Sequence, residues 1–151
     1  MHQGFSGEME FLSGGGWIKF KDYNGERVAQ YLSFTNDIEF VDPFKFTVFT
    51  QKRFINVASE NFQQILATDQ KIPYVAYGVS FTTPAEMINS NSEHWELITG
   101  NVGGFKFNTE YLELSIEESP DMASYSFSTP SGLMIVRING KISVATALVN
   151  T

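Results

Sequence analysis

Apolar residues recurring at every second position, punctuated by Asn-Gly pairs, restrict this chain more than any other feature. Trp17-Ile18-Lys19-Phe20-Lys21 and Phe44-Lys45-Phe46-Thr47-Val48-Phe49 alternate with period two, the spacing of a strand with one face on a core. Asn24-Gly25 separates the first of these from Arg27 to Phe34, and Asn139-Gly140 separates Leu133 to Ile138 from Lys141 to Val149. Asn-Gly supplies the two positive-φ positions of a tight hairpin turn, so a hairpin is expected at each. Their flanks echo one another in Val28-Ala29 and Val144-Ala145, but the period and length do not fit a repeat array. The many Phe, Tyr, Val, Ile and Thr residues add a strand-forming vocabulary, and a mainly β fold follows.

The rest of the chain reads in the same way with one exception. Gly7 to Leu12 is a short strand broken by Gly14-Gly15-Gly16, and Lys71 to Phe81, Trp95 to Phe107, Tyr111 to Ile116 and Ala123 to Ser128 are further strand segments. Thr82 to Glu93, rich in Ser and Asn, reads as a mobile loop. Between Lys52 and Ala67 the period changes, because Ile55, Ala58, Phe62, Ile65 and Leu66 recur at helical spacing; the spacing predicts a helix. A helix between the third and fourth strands is the element order of an OB-fold, here a five-stranded barrel with one helix plus a C-terminal β-hairpin extension. The boundaries are residues 1–108 for the core and 109–151 for the extension, packed on the core or swapped between subunits. A small sandwich is compatible with the same strands.

Length and composition narrow the function classes. At 151 residues the chain is one ordinary domain, large enough to bury a core without staples. It contains no cysteine, so disulfides, thiolate nucleophiles and thiolate-held metals are excluded. Seventeen acidic against ten basic residues, a net charge of -7, exclude binding to a polyanion by bulk charge. No apolar run is long enough to span a bilayer. Met1-His2-Gln3-Gly4 lacks the basic and apolar segments of a secretory signal, so a cytoplasmic protein is expected.

The order of small motifs adds a resemblance. Asn24-Gly25, then Val28-Ala29 in a strand ending at Thr35, Val48-Phe49 followed by Lys52, the run Val57-Ala58-Ser59-Glu60, a strand with Gly78, and Asn101-Val102-Gly103-Gly104 follow one another over residues 7 to 108. In that order the chain resembles the bacterial single-stranded DNA-binding protein family. The resemblance implies an OB-fold, single-stranded DNA as partner and a homo-oligomer. Two departures stand out: Thr50 replaces a glycine of the pattern, and the stacking tryptophans have no clear counterparts near Glu39, Phe40, Pro43 and Phe44. The chain also ends in Leu148-Val149-Asn150-Thr151 where the family carries an acidic tail. It therefore resembles a phage or plasmid relative that has replaced the tail, or another OB-fold protein, and the cytoplasm expected for it is that of a bacterial host if it is phage-encoded.

Stacking of bases needs exposed aromatic faces, and a strand of phosphates needs cations along its path. The residues that could form such a surface are Trp17, Lys19, Lys21, Arg27, Tyr31, Phe44, Lys45, Phe49, Lys52, Arg53 and Phe81. Alternation places Trp17, Lys19 and Lys21 opposite Ile18 and Phe20. Most of the aromatics are also needed for a core, and Asp22, Glu26, Asp37, Glu39 and Asp42 nearly cancel the local positive charge. Glu110, Glu113, Glu117, Glu118 and Asp121 form an acidic stretch, either a partner surface or a charged strand edge that resists pairing.

Catalytic patterns are sparse. His2 and His94 are the only imidazoles, and His94 with Glu93 and Glu96 fits a solvated surface better than a metal site. Asp22 to Glu26 lacks the spacing of a calcium loop. Gly14-Gly15-Gly16 lacks the Lys and Ser/Thr of a phosphate loop. The expectation is a non-enzymatic protein that binds single-stranded DNA without cofactor or metal and without a membrane. The alternatives are a structural component of a virion or appendage, and a carbohydrate-binding module.

Overall fold

Two long antiparallel strands organise the chain, one of 15 residues and one of 14. The computed structural model describes residues 3–90, 92–101 and 106–149, without the side chains of 51, 52 and 121. In order the elements are β1 (Phe5–Ser6), β2 (Glu10–Ser13), β3 (Gly16–Lys19), a short 3-10 turn (Phe20–Asp22), β4 (Val28–Leu32), β5 (Asp37–Val41), β6 (Phe44–Ala58) and β7 (Gln63–Ala67). They continue as β8 (Ile72–Val75), β9 (Val79–Thr82), α1 (Pro84–Asn89), β10 (His94–Gly100), β11 (Phe107–Glu113), β12 (Ser115–Ser128), β13 (Leu133–Ile138) and β14 (Lys141–Thr146).

The mainly β class holds, and its architecture is not the five-stranded OB barrel. Strands β1, β12, β6 and β7 close on themselves, while β11, β10, β14, β13, β2, β4 and β5 form a larger sheet in that order, with β3 paired to β2. Strands β8 and β9 make a separate hairpin. The expected helix over 52–67 is absent: Phe54 pairs with Ala67 and Ala58 with Gln63 across a turn closed by Ser59 N–H to the Phe62 carbonyl at 2.7 Å. Two strands joined by a tight turn had imitated a helical spacing. The β-branched Ile55, Val57 and Ile65 favour the extended form. A one-and-a-half-turn helix instead lies inside the expected loop, with Pro84 at its start and Thr83 Oγ1 accepting the Glu86 N–H at 3.1 Å.

The turn chemistry is half as expected. Asn139 and Gly140 have φ of 50° and 75° and join β13 to β14 in full register. The pair Asn24-Gly25 does not join a hairpin, because β3 pairs with β2 across the glycine triplet and β4 pairs with β5. The acidic residues 117–121 lie within β12, whose register with β6 is irregular between Ser119 and Met122.

An aromatic cluster fills the space between the two sheets. Phe11 meets Phe127 edge-on with centroids 5.4 Å apart, and Phe20 lies 5.4 Å from Phe5 and 5.5 Å from Phe127. All four are fully buried. A second cluster around Ile98, Leu133, Ile135, Ile142 and Val144 packs the larger sheet. The acidic β11 is an edge of that sheet, where charge discourages pairing with another chain. Truncating the shared ring, Phe127→Ala, should lower unfolding free energy by about 3–5 kcal/mol, read from the urea midpoint; a change below about 1 kcal/mol would contradict this account of the core.

Candidate functional site

Strand β1 is only two residues long, yet it is held on both sides: Phe5 is registered with Tyr125 of β12 and with Leu66 of β7. This wedge buries Gly4 beside both neighbours. Its carbonyl accepts the Ala67 N–H at 2.9 Å, and its N–H donates to Gln70 Oε1 at 2.9 Å. Glycine is required here. Its φ is +118°, and a Cβ would sit 2.8 Å from Ser124 Cβ and 3.0 Å from Ser124 Oγ.

Gln70 also reaches the other end of the chain. The turn that follows β7 places it, with its own N–H on the Ala67 carbonyl at 3.0 Å, and leaves the residue 3% exposed. Its Nε2 donates to the carbonyls of Lys71 at 3.3 Å and Thr146 at 3.4 Å. After β14 the chain stays hydrogen-bonded to the fold: the Ala147 N–H donates to the Gly132 carbonyl at 2.8 Å, Thr129 N–H to the Ala147 carbonyl at 3.0 Å, and Val149 N–H to Ser128 Oγ at 2.8 Å. One amide side chain thus joins the segment at Gly4 to the segment at Thr146.

The surroundings hold polar groups that the fold does not satisfy. Among the described residues the buried side-chain atoms without a hydrogen-bond partner are Ser124 Oγ, Ser126 Oγ, Thr146 Oγ1 and Gln64 Oε1. They lie on β12, β14 and β7, the strands around the two end segments. A buried hydroxyl left unpaired costs about 1–3 kcal/mol. Ser124, Ser126 and Ser128 alternate along β12 and share one face. That run of small polar residues, where apolar side chains would be expected, was the sequence signal for this seam. Gly4, Gln70 and Thr146 carried none.

The residues expected to bind a nucleic-acid strand are dispersed and mostly occupied. Trp17 on β3 lies under the Arg137 guanidinium at 4.4 Å, and Arg137 is bidentate on Glu10 at 2.9 Å. Lys19 and Lys21 both bind Glu8, at 2.9 and 2.6 Å, which holds the Glu8 carboxyl down at about 2. Arg27 donates to the Phe40 carbonyl at 2.9 Å and faces Asp42. Arg53 pairs with Glu118. Tyr31 is buried, donates to Asn36 Oδ1 at 2.6 Å, and has its hydroxyl pushed up by desolvation. Phe44 is exposed on β6, Lys45 holds a positive φ of 55°, and Phe49 lies further along the same strand. The side chain of Lys52 lies outside the described residues. Phe81 is exposed on β9, away from the strands that bear the others. Among the described residues Lys19, Lys21, Arg27 and Arg53 each pair with a carboxylate, of Glu8, Asp42 or Glu118.

No family model matches the chain, and no curated protein matches it. Solved structures do. A glutathione-linked, splice-inactive variant of the AceL NrdHF class 3 split intein, with alanine replacing one cysteine and one asparagine, aligns with a TM-score of 0.85 at 14% identity, covering 97% of this chain and 99% of that one. The DnaB intein of Synechocystis sp. PCC 6803 aligns with a TM-score of 0.71 at 12% identity over 97% of this chain and 99% of that one. An intein from a hyperthermophile aligns at 0.74 and 12% identity, over 95% and 99%. At such identities the likeness is one of fold. It corrects the resemblance to single-stranded DNA-binding proteins, and with it the DNA partner, the homo-oligomer and the structural and carbohydrate-binding alternatives. The expectation of a non-enzymatic protein is corrected too, since the neighbours are named for splicing.

Two measurements check this geometry. Gln70→Leu removes the acceptor of a buried N–H and should cost about 1–3 kcal/mol, with faster hydrogen exchange at Gly4; unchanged exchange there would refute the bridge. Glu8 titrates at about 2 in the fold against an ordinary 4.5, so its contribution is present above pH 4.5 and lost as pH falls toward 2. Glu8→Gln should therefore flatten the melting temperature between those pH values, less so in high salt.

Proposed function

We propose that this chain is an autoprocessing domain of the protein-splicing kind, set within a host polypeptide, and that its acyl transfer runs through a serine hydroxyl. The observation that carries the reading is the bridge at Gln70, which brings the entry and exit segments of the fold to one buried amide beside the unpaired Ser124 Oγ. A domain that rearranges the peptide bonds at its own two ends needs both ends at one place. The intein fold of the structural neighbours supports the same reading. In the splice-inactive neighbour a cysteine and an asparagine are replaced; this chain has no cysteine, and the reading gives the acyl-transfer role to a hydroxyl.

The step assigned to the site is an N-to-O acyl shift at the Gln3–Gly4 bond. Ser124 Oγ adds to the Gln3 carbonyl carbon, the C–N bond breaks, and the hydroxyl proton passes to the Gly4 nitrogen. The products are an ester on Ser124 and a free amine at Gly4. Gln70 Oε1 already accepts the Gly4 N–H and can keep that nitrogen oriented as it gains a proton. Burial excludes competing water until the ester forms. Water then releases the acyl group as a carboxylic acid and restores the serine, or a hydroxyl of the downstream flank takes it.

A reporter protein fused ahead of Met1 tests this. Neutral incubation with hydroxylamine should release the reporter with a hydroxamate at Gln3 and leave a fragment beginning at Gly4, both read by intact mass. Ser124→Ala should slow release by about a hundredfold or more, as loss of a nucleophile does, while leaving the melting temperature within a few degrees. A fusion that stays whole through that treatment would sink the proposal.

A further inference from the structure

Two Asn-Gly pairs stand in this chain, and the fold holds them differently. Asn139-Gly140 closes the β13–β14 hairpin, with both residues at positive φ and the flanking strands in full register. The Asn139 side chain is also tied down, its Nδ2 donating to Gln63 Oε1 of β7 at 2.8 Å. Asn24-Gly25 lies between the 3-10 turn and β4, and neither residue belongs to a strand. The Asn24 N–H donates to Glu26 Oε1 at 2.6 Å, but among the described residues neither its side-chain amide nor the Gly25 N–H has a hydrogen-bond partner. Gly25 has open space around it, with no atom within 4 Å of the place a Cβ would take. Both asparagines are exposed, so access to water does not separate them. Freedom to move does.

The chemistry open to a free Asn-Gly pair is ring closure. The Gly25 nitrogen adds to Cγ of Asn24, the Cγ–Nδ2 bond breaks, and ammonia leaves with the proton of the Gly25 N–H. A five-membered succinimide remains. Water opens it at either carbonyl, giving aspartate by one route and isoaspartate, with the main chain rerouted through Cγ, by the other. The step needs the nitrogen within about 3–3.5 Å of Cγ, and it needs glycine on the receiving side, since a Cβ would crowd that nitrogen. At Asn24 no bond opposes the swing of the side chain over the next nitrogen. At Asn139 the turn fixes the backbone torsions, and the nitrogen that must leave is the one bonded to Gln63, so closure waits until the hairpin tip opens.

We propose that Asn24 is a spontaneous modification site, converted through a succinimide to aspartate and isoaspartate, while the fold protects Asn139 from the same reaction. The proposal stands apart from the processing reading and needs none of its residues. Its product places a carboxylate in a loop that already holds Asp22 and Glu26, beside Arg27, whose guanidinium faces Asp42 and the Phe40 carbonyl. The core is left intact, because the loop is anchored on either side of the pair. Tyr23 packs on Phe46 with centroids 4.6 Å apart, and the Arg27 carbonyl accepts the Gly14 N–H at 3.2 Å.

Incubation of the folded chain in mildly alkaline buffer, followed by peptide mapping over days, tests the assignment. The peptide holding Asn24 should gain the mass difference between OH and NH2 about tenfold or more faster than the peptide holding Asn139, the factor set by one hydrogen bond and the opening of a turn. An isoaspartyl methyltransferase with labelled S-adenosylmethionine should mark the Asn24 peptide, and Asn24→Gln, which would have to close a larger ring, should remove the mark. In urea, where neither turn nor Gln63 bond survives, the difference between the two sites should collapse. Equal rates in the folded chain, faster change at Asn139, or a preference that persists unchanged in urea would overturn the proposal. Alkaline hydroxylamine opens the succinimide and gives a fragment beginning at Gly25, distinct by mass from one beginning at Gly4, so this reaction and the processing reaction are read apart.

Discussion

The amide of Gln70 holds together what the topology would otherwise leave loose, the first strand and the tail after the last. A two-residue strand such as β1 has too few ladder bonds to stay in place on its own. It is retained because Gly4 gives its carbonyl to Ala67 and its N–H to Gln70, while Phe5 stacks into the aromatic cluster through Phe20. The tail is retained by the same side chain at Thr146 and by Ser128 at Val149. Each end is therefore fixed by hydrogen bonds from elements remote in sequence, and the barrel of β1, β12, β6 and β7 is the frame that brings those elements near.

The frame spends stability to do this. Unpaired hydroxyls at Ser124, Ser126 and Thr146, and a Gly4 that admits no side chain, are unfavourable or restrictive as packing. The surrounding core compensates with four fully buried phenyl rings in mutual contact and a second apolar cluster on the larger sheet. Polar, strained seams inside a well-packed β domain are where local rules yield to function. The surface shows the opposite pattern. Glu8 neutralises Lys19 and Lys21, Glu10 holds Arg137 over Trp17, and Glu118 takes Arg53, so a run of cations that reads as a binding path along the sequence becomes a set of local pairs in space.

Particular residues show where reading along the chain succeeds. Leu133 to Ile138 and Lys141 to Thr146 pair as their alternation and the Asn139-Gly140 turn require, because both the turn and the strands are local. Asn24-Gly25 has the same turn chemistry and joins nothing to itself, since β3 finds a better partner in β2 across Gly14 and Gly15. The segment from Ile55 to Leu66 misleads for a related reason. Its apolar positions serve two strands of a barrel, and only pairing with β12 and with each other distinguishes that from one helical face.

The amino-acid sequence by itself determined that this is a mainly β domain, that one hairpin turns at Asn139-Gly140, and that no cysteine of this chain can serve as a nucleophile. Only the tertiary structure decided that the chain shares the fold of its intein neighbours and that Gly4, Gln70, Ser124 and Thr146 come together. Periodicity and turn chemistry act over a few residues and leave their mark on the sequence directly. The bonds from Gln70 to Gly4 and to Thr146 span 66 and 76 positions, and contacts of that range exist only after the strands have found their register.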